Sequence, residues 1–205
     1  MSNPQSKEKL RYFVEAEQHR QALETLWREN SSGIIDAIDP VIPPSSADLR
    51  QRDQHGGIVN AIRPLYQAAE IAHESFVTFL QQLTADKFEG RVFRPGSETD
   101  PLQSGVYLTE PKHPEKALKK GQEFYSNRSA GPPVLWVHDI LRYSIVCDSE
   151  QQIAEIIEFI QSNMEIVRSK NRFRNPTPTG FRDFLLFVRI NGFIGEFQIQ
   201  FLPIF

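Results

Sequence analysis

The stretch Phe184-Leu185-Leu186-Phe187-Val188-Arg189-Ile190-Asn191-Gly192-Phe193-Ile194-Gly195-Glu196-Phe197-Gln198-Ile199-Gln200-Phe201 reads as two antiparallel strands around one tight turn. Asn191-Gly192 supplies the two positive-φ positions of a type I′ turn, whose twist matches that of the strands it joins. On the return strand, period two sends Phe193, Gly195, Phe197, Ile199 and Phe201 to one face and Glu196, Gln198 and Gln200 to the other. The aromatic face needs cover. The face with a carboxylate and two amides is either wet or the floor of a site.

Working upstream, residues 140–147 carry β-branched and aromatic side chains and read as a buried strand. Asp148-Ser149 offers a helix cap, and Ile153, Ile156, Ile157 and Ile160 follow at the spacing of one apolar helix face. A short strand is expected over 165–168. Residues 112–125 read as a helix starting near Pro114, since proline is tolerated in a first turn, and 126–133 as a loop. A long helix is expected over 58–83, with Ile58, Ile62, Leu65, Ala69, Ala72, Phe76, Phe79, Leu80 and Leu83 on one side. Residues 90–105, rich in Gly, Pro and polar side chains, read as a loop. Leu10, Phe13, Val14, Leu23, Leu26 and Trp27 recur at helical spacing over 6–30. Asp39-Pro40-Val41-Ile42-Pro43-Pro44 then breaks any helix. The expected organisation is an N-terminal helical region over 1–38, a proline-rich linker over 39–57 and one α+β domain over 58–205, with a mixed sheet flanked by helices.

The composition sets limits on function. The chain has 205 residues, 40% of them hydrophobic and 24% charged, which excludes a collagenous, disulfide-rich or wholly disordered protein. A net charge of -3 gives no general sign of a nucleic-acid binder, although a local basic surface can sit within it. The single cysteine, Cys147, lies in an apolar run and reads as a buried thiol. No apolar run is long enough for a membrane span, and the polar residues 1–9 contain no apolar signal core. A cytoplasmic location is therefore expected, with a specialised secretion route leaving no mark of this kind.

Three features point to chemistry. Lys112, Lys116, Lys119 and Lys120 project along much the same side of the 112–125 helix, an ammonium cluster with reach for a polyphosphate. Residues 168–182 hold Arg168, Lys170, Arg172, Arg174 and Arg182 with no carboxylate among them, and Asn175-Pro176-Thr177-Pro178-Thr179-Gly180 forces a loop there. A basic loop with Phe173 and Phe181 interleaved can hold phosphate and stack a base. Finally, Asp139 opens one strand and Glu196 stands on the polar face of another. Two carboxylates meeting on a sheet can bind Mg²⁺ through oxygen, with one placed to take a hydroxyl proton.

The order of these elements resembles the synthetase domain of RelA/SpoT-type alarmone enzymes. The resemblance spans roughly 107–204 and rests on the lysines up to Lys120, on Asp139-Ile140-Leu141-Arg142, on the run from Lys170 to Gly180-Phe181-Arg182, and on Glu196-Phe197-Gln198-Ile199. It implies a nucleotidyltransferase-like mixed sheet and Mg²⁺-dependent transfer of pyrophosphate from ATP to the ribose 3′-hydroxyl of a nucleotide. On that resemblance Asp139 and Glu196 bind metal, with Glu196 also activating the hydroxyl. Lys112, Lys116, Lys120 and Arg142 hold the ATP phosphates. Lys170, Arg172, Phe181, Arg182 and Gln198 hold the acceptor, Phe181 standing where the family has a base-stacking tyrosine. The acceptor would be GDP, GTP, an adenine nucleotide or the end of a transfer RNA, and an oligomer is compatible with the pattern. Small stand-alone members are stress-signal synthetases or toxins.

The sequence also departs from that pattern. Glu110 stands where the family commonly has an arginine, Arg142 where it has a glycine and Ser144 where it has an arginine, while Asp183-Phe184-Leu185 replaces Ser-Leu-His. These changes bear most on the acceptor base. His19, His55 and His73 are scattered and form no hydrolase constellation. The alternative reading is a non-catalytic nucleotide- or RNA-binding module on the same fold.

Overall fold

The computed structural model describes residues 4–44, 47–94 and 103–204, with side chains of the first helix described from residue 14 onward. Helices α1 (Pro4–Asn30) and α2 (Ile62–Lys87) precede strands β1 (Val92–Phe93) and β2 (Gly105–Leu108). Then come α3 (Pro114–Tyr125), β3 (Arg142–Cys147), α4 (Glu150–Asn163), β4 (Glu165–Asn171), β5 (Phe184–Ile190) and β6 (Phe193–Phe201). The six strands form one mixed sheet in the order β1-β2-β3-β6-β5-β4. β3 and β6 run parallel, as do β1 and β2, and the other neighbours are antiparallel. The expected α+β architecture is therefore the one observed.

The hairpin follows from its turn. Asn191 and Gly192 take φ of 47° and 78°, so the two strands pair residue for residue from Ile190↔Phe193 to Phe184↔Ile199. Gly192 is also needed sterically, because a Cβ there would collide with the carbonyl of Asp53. The aromatic face of β6 meets α2: the ring of Phe197 lies 5.6 Å from Phe76, 6.2 Å from Phe79 and 5.8 Å from Tyr143. Ile153, Ile156, Ile157 and Ile160 of α4 are buried in the same core. Each such side chain contributes about 1.5–3 kcal/mol by leaving water. Ser149 caps α4, accepting from the Gln152 N–H at 3.1 Å.

The other sheet face is polar on both sides of an apolar strip. The ladder places Tyr107, Ser144 and Arg142, then Gln198 and Glu196, then Leu185 and Phe187, then Lys170 and Arg168 on one side. Leu49 packs on its apolar part.

Several boundaries differ from the sequence expectation. β3 starts at Arg142, two residues after the expected start, and β4 runs on to Asn171. Ser169, Lys170 and Asn171 are poor strand formers held by pairing with Leu186, Leu185 and Phe184. The stretch read as a loop contains β1, paired with β2, and its residues 95–102 lie outside the described residues, as do the side chains of Leu10 and Phe13. α1 is less amphipathic in use than in pattern: Trp27 is buried, whereas Val14 and Leu26 are exposed. Trp27 stacks on Phe173 at 5.2 Å and meets Phe201 edge-on. Within 39–57, Gln51 is fully buried and bonds the main chain of Val137 and, in both directions, of Ile194.

Candidate active site

Asp139 lies three residues before β3 and not at its start as expected, and β3 lies parallel to β6, so Arg142 pairs with Glu196. The Glu196 N–H donates to the Leu141 carbonyl at 2.9 Å, one rung from the start of β3. This non-local pairing brings the end of one segment and the middle of another to one place. Asp139 and Glu196 are 9% and 8% exposed, so both carboxylates are nearly out of water.

The lysines come from α3 and the loop before it. Lys120 Nζ lies 2.6 Å from Asp139 Oδ2, and Lys112 Nζ lies 3.2 Å from the same oxygen. Lys112 is fixed by its own N–H, which donates to Ile140 O at 2.8 Å, and its carbonyl accepts from the Tyr66 hydroxyl. Asp139 Oδ1 is buried with no hydrogen-bond partner among the described residues. Burial pushes the Asp139 carboxyl up, but the hydrogen bond and charge of Lys120, with Lys112, outweigh it and hold the group below its ordinary value. Glu196 moves the other way. Burial raises it first, the charge of Asp139 raises it further, and Lys120, Arg142 and Arg172 only partly offset the rise. Two neighbouring carboxylates with opposite shifts are the usual arrangement for separate acid–base and charge-holding roles. Gln198 donates to Glu196 Oε1 at 3.1 Å and orients it.

A cleft of about 480 Å³ opens beside Asp139, lined by Lys112, Lys116, Asp139 and Arg142 and walled by Tyr66, Glu110 and Pro111. Lys116 and Arg142 are exposed in it, while Lys119 turns away toward Glu123 at 3.8 Å. Another concavity, of about 600 Å³, lies between α2, the end of α4 and the hairpin turn. It carries Glu74, Glu165 and Arg189, whereas the lysines gather at the first cleft.

The basic loop divides into two groups. Lys170 projects from the polar face of β4, within electrostatic reach of Arg168, Arg172, Glu196 and Lys120. Arg172 is bound to the fully buried Asp183, with Nε 2.5 Å from Oδ1 and Nη2 on Oδ2, and its guanidinium stands 5.7 Å from the Phe181 ring. Arg174 and Arg182 turn elsewhere. Arg174 bonds the carbonyls of Asp36 and Ile38 and pairs with Asp39. Arg182 donates to Glu24 and to Phe173 O, with its guanidinium 5.1 Å from the Trp27 ring. The acceptor-loop residues named from the sequence therefore split, with Lys170, Arg172 and Phe181 toward the sheet face and Arg182 against α1.

Some members of this neighbourhood were given no role in the site from the sequence. Tyr66 comes from α2 and carried no motif. Arg168 shares a sheet face with Lys170 and lies 4.2 Å over the Phe187 ring. A longer reading of β4 gives that pairing by period two. Asp183 was noted only as a departure from a family pattern.

No family model and no curated protein matches this sequence. Solved structures do resemble the chain in shape. Small alarmone synthetase 1 from Bacillus subtilis, bound to its product pppGpp, shares 18% identity over 65% of this chain and 68% of its own, with a TM-score of 0.43. A GTP pyrophosphokinase family protein from Streptococcus pneumoniae shares 14% identity over 65% and 64%, with a TM-score of 0.43. The protein smu.1046c from Streptococcus mutans UA159 shares 15% over 65% and 67%, also at a TM-score of 0.43.

Proposed function

We propose that this chain transfers pyrophosphate from ATP to the ribose 3′-hydroxyl of a nucleotide acceptor. The observation that carries the reading is the approach of Asp139 to Glu196 beside Lys112 and Lys120, with Asp139 and Lys112 lining a cleft that also holds Lys116 and Arg142. Phosphoryl-type transfer asks the protein for positioning and charge neutralisation more than for covalent chemistry. Lys112, Lys116, Lys120 and Arg142 hold the donor phosphates. Lys170, Arg172 and Phe181 hold the acceptor nucleotide, a guanine or adenine one, with Gln198 orienting Glu196 and Arg182 bracing the loop from behind. The 3′-oxygen attacks the β-phosphorus of ATP, its proton passes to Glu196, and the bond from the β-phosphorus to the bridging oxygen breaks to release AMP.

The residues fit a divalent cation. Asp139 Oδ1 is a buried acceptor lacking a donor, and Glu196 stands within electrostatic reach of it. Asp139 and Glu196 would hold Mg²⁺, which supplies neutralisation of the phosphate oxygens when bound.

The test is incubation with labelled ATP, Mg²⁺ and a panel of nucleotides and transfer RNA. Label reaching one acceptor, and lost in Glu196→Gln while nucleotide binding persists, supports the enzyme. No transfer to any acceptor by the folded protein, with binding indifferent to Glu196→Gln, supports the non-catalytic binding module instead. No helix among the described residues is long and apolar enough to cross a membrane.

A further inference from the structure

We propose that Asp183 is a positioning residue for the acceptor: it clamps Arg172 so that the guanidinium and the Phe181 ring together present a platform to a nucleobase. The inference rests on the acceptor role given above to this loop.

Asn171 and Phe184 are the last paired residues of β4 and β5, so Arg172 and Asp183 form the next rung, at the neck of the loop. Three links cross that neck. The Arg172 N–H donates to Asp183 O at 2.9 Å, Arg172 Nε lies 2.5 Å from Oδ1, and Nη2 binds Oδ2. Both carboxylate oxygens are thereby engaged by one guanidinium, which fixes the plane of the fork and not merely its charge. The loop is shaped to bring Phe181 to it. Thr177 N–H donates to Phe181 O at 3.1 Å, and Phe181 N–H donates to Thr177 Oγ1 at 3.0 Å. The neighbouring Phe173 turns the other way, fully buried against Trp27. Phe181 stays half-buried. Two residues before Arg172, Lys170 stands across Leu185 from Gln198, on the sheet face that carries Glu196.

Stability alone gives no reason for a carboxylate at 0% exposure in this place. A buried ion pair seldom improves on an apolar pair of similar volume, because desolvation cancels the attraction. What the pair supplies is a fixed guanidinium plane, and a flat cation beside an aromatic ring suits the π-face of a base.

The experiment uses the full chain with Mg²⁺-ATP as donor and GDP and ADP as acceptor probes. Asp183→Asn should raise the acceptor KM about tenfold, the scale of one weakened base contact. The KM for donor ATP and the kcat should stay within about twofold. Arg172→Lys keeps a cation opposite Asp183 but not the planar fork, and should raise the acceptor KM alike. If Asp183→Asn fails to fold, Asp183→Glu, which keeps the charge but shifts the fork, decides the matter by the same acceptor KM. A purely structural Asp183 would lower kcat with the folded fraction and leave the acceptor KM in place in whichever variant folds; that pattern overturns the inference while transfer itself stands. A wild-type chain that transfers to no acceptor overturns the proposed function, and the platform falls with it.

Discussion

Lys120 Nζ donates to Asp139 Oδ2 at 2.6 Å while Oδ1 of the same carboxylate stays buried without a partner among the described residues. One oxygen is thus satisfied by a cation of the protein, and the other is the atom that the proposed Mg²⁺ would engage. Asp139→Asn should weaken Mg²⁺ by more than about tenfold, even allowing that second-shell changes alone cost this much. The measurement is the Mg²⁺-dependent rise in melting temperature, which needs no turnover. An unchanged Mg²⁺ midpoint would remove Asp139 from the metal site.

Glu196→Gln keeps the shape of the side chain and its place beside Gln198 but cannot take a proton. Loss of a general base costs about 10²–10⁴ in rate. Single-turnover rates should fall by that factor, with the affinity for ATP, read by titration calorimetry, little changed. A variant that turns over at the wild-type rate would show that the proton goes elsewhere.

The raised Glu196 carboxyl also sets a sign for stability. Its folded value lies above the ordinary 4.5, by burial first and then by Asp139. The folded state therefore binds this proton more tightly than the unfolded state does. The associated stability is present below the unfolded value and is lost as pH rises through the folded value. Glu196→Gln lacks this loss. The melting temperature of the variant minus that of the wild type, without Mg²⁺, should grow as pH climbs upward from 4.5, the ordinary value. Added Mg²⁺ should shrink that difference, because a cation favours the ionised carboxylate. A flat difference across pH would contradict the burial and charge assigned to Glu196.

Legibility in the sequence followed how local each determinant is. The hairpin with Asn191-Gly192, the isoleucine face of α4 and the cap at Ser149 are written in adjacent residues and stand where the pattern placed them. β1 and the far end of β4 are not, since pairing with a neighbour creates them. The candidate site shows the same division. Carboxylates, lysines and arginines could be named from their types, but the approach of Asp139 to Glu196 depends on the parallel β3–β6 pairing, which no local spacing encodes. Composition likewise cannot tell which arginines of a basic loop face the sheet. Arg182 looks like Arg172 in sequence, yet Glu24 and Trp27 of α1 take it.

That use of α1 can be tested through Trp27, which is 5% exposed and bridges Phe173 and Phe201. Trp27→Ala leaves a cavity between helix and loop and should cost about 3–5 kcal/mol in urea unfolding. Because Arg182 then loses one wall, tryptic cleavage at Arg172, Arg174 and Arg182 should rise more than cleavage at Arg189 in β5. Equal acceleration at all four sites would mean global loosening and no particular hold of α1 on the loop.

Gly180 gives a finer test of the same contact. Its φ is +84°, and a Cβ there would come within 2.9 Å of Arg20 Cγ and 3.2 Å of Arg20 Cα. Gly33 has nearly the same φ, +81°, with nothing within 4 Å among the described residues. Alanine at either position pays the left-handed penalty of roughly 1–2 kcal/mol, so the backbone cost cancels between them. What remains in Gly180→Ala is the crowding of α1, including its main chain, which cannot swing aside as a side-chain tip would. Gly180→Ala should therefore be the less stable of the two in urea, and it alone should raise the acceptor KM, because the strained turn lies next to Phe181. Equal stabilities with an unmoved KM would mean that α1 gives way freely at Arg20, and that the loop keeps its shape by the Thr177–Phe181 hydrogen bonds alone.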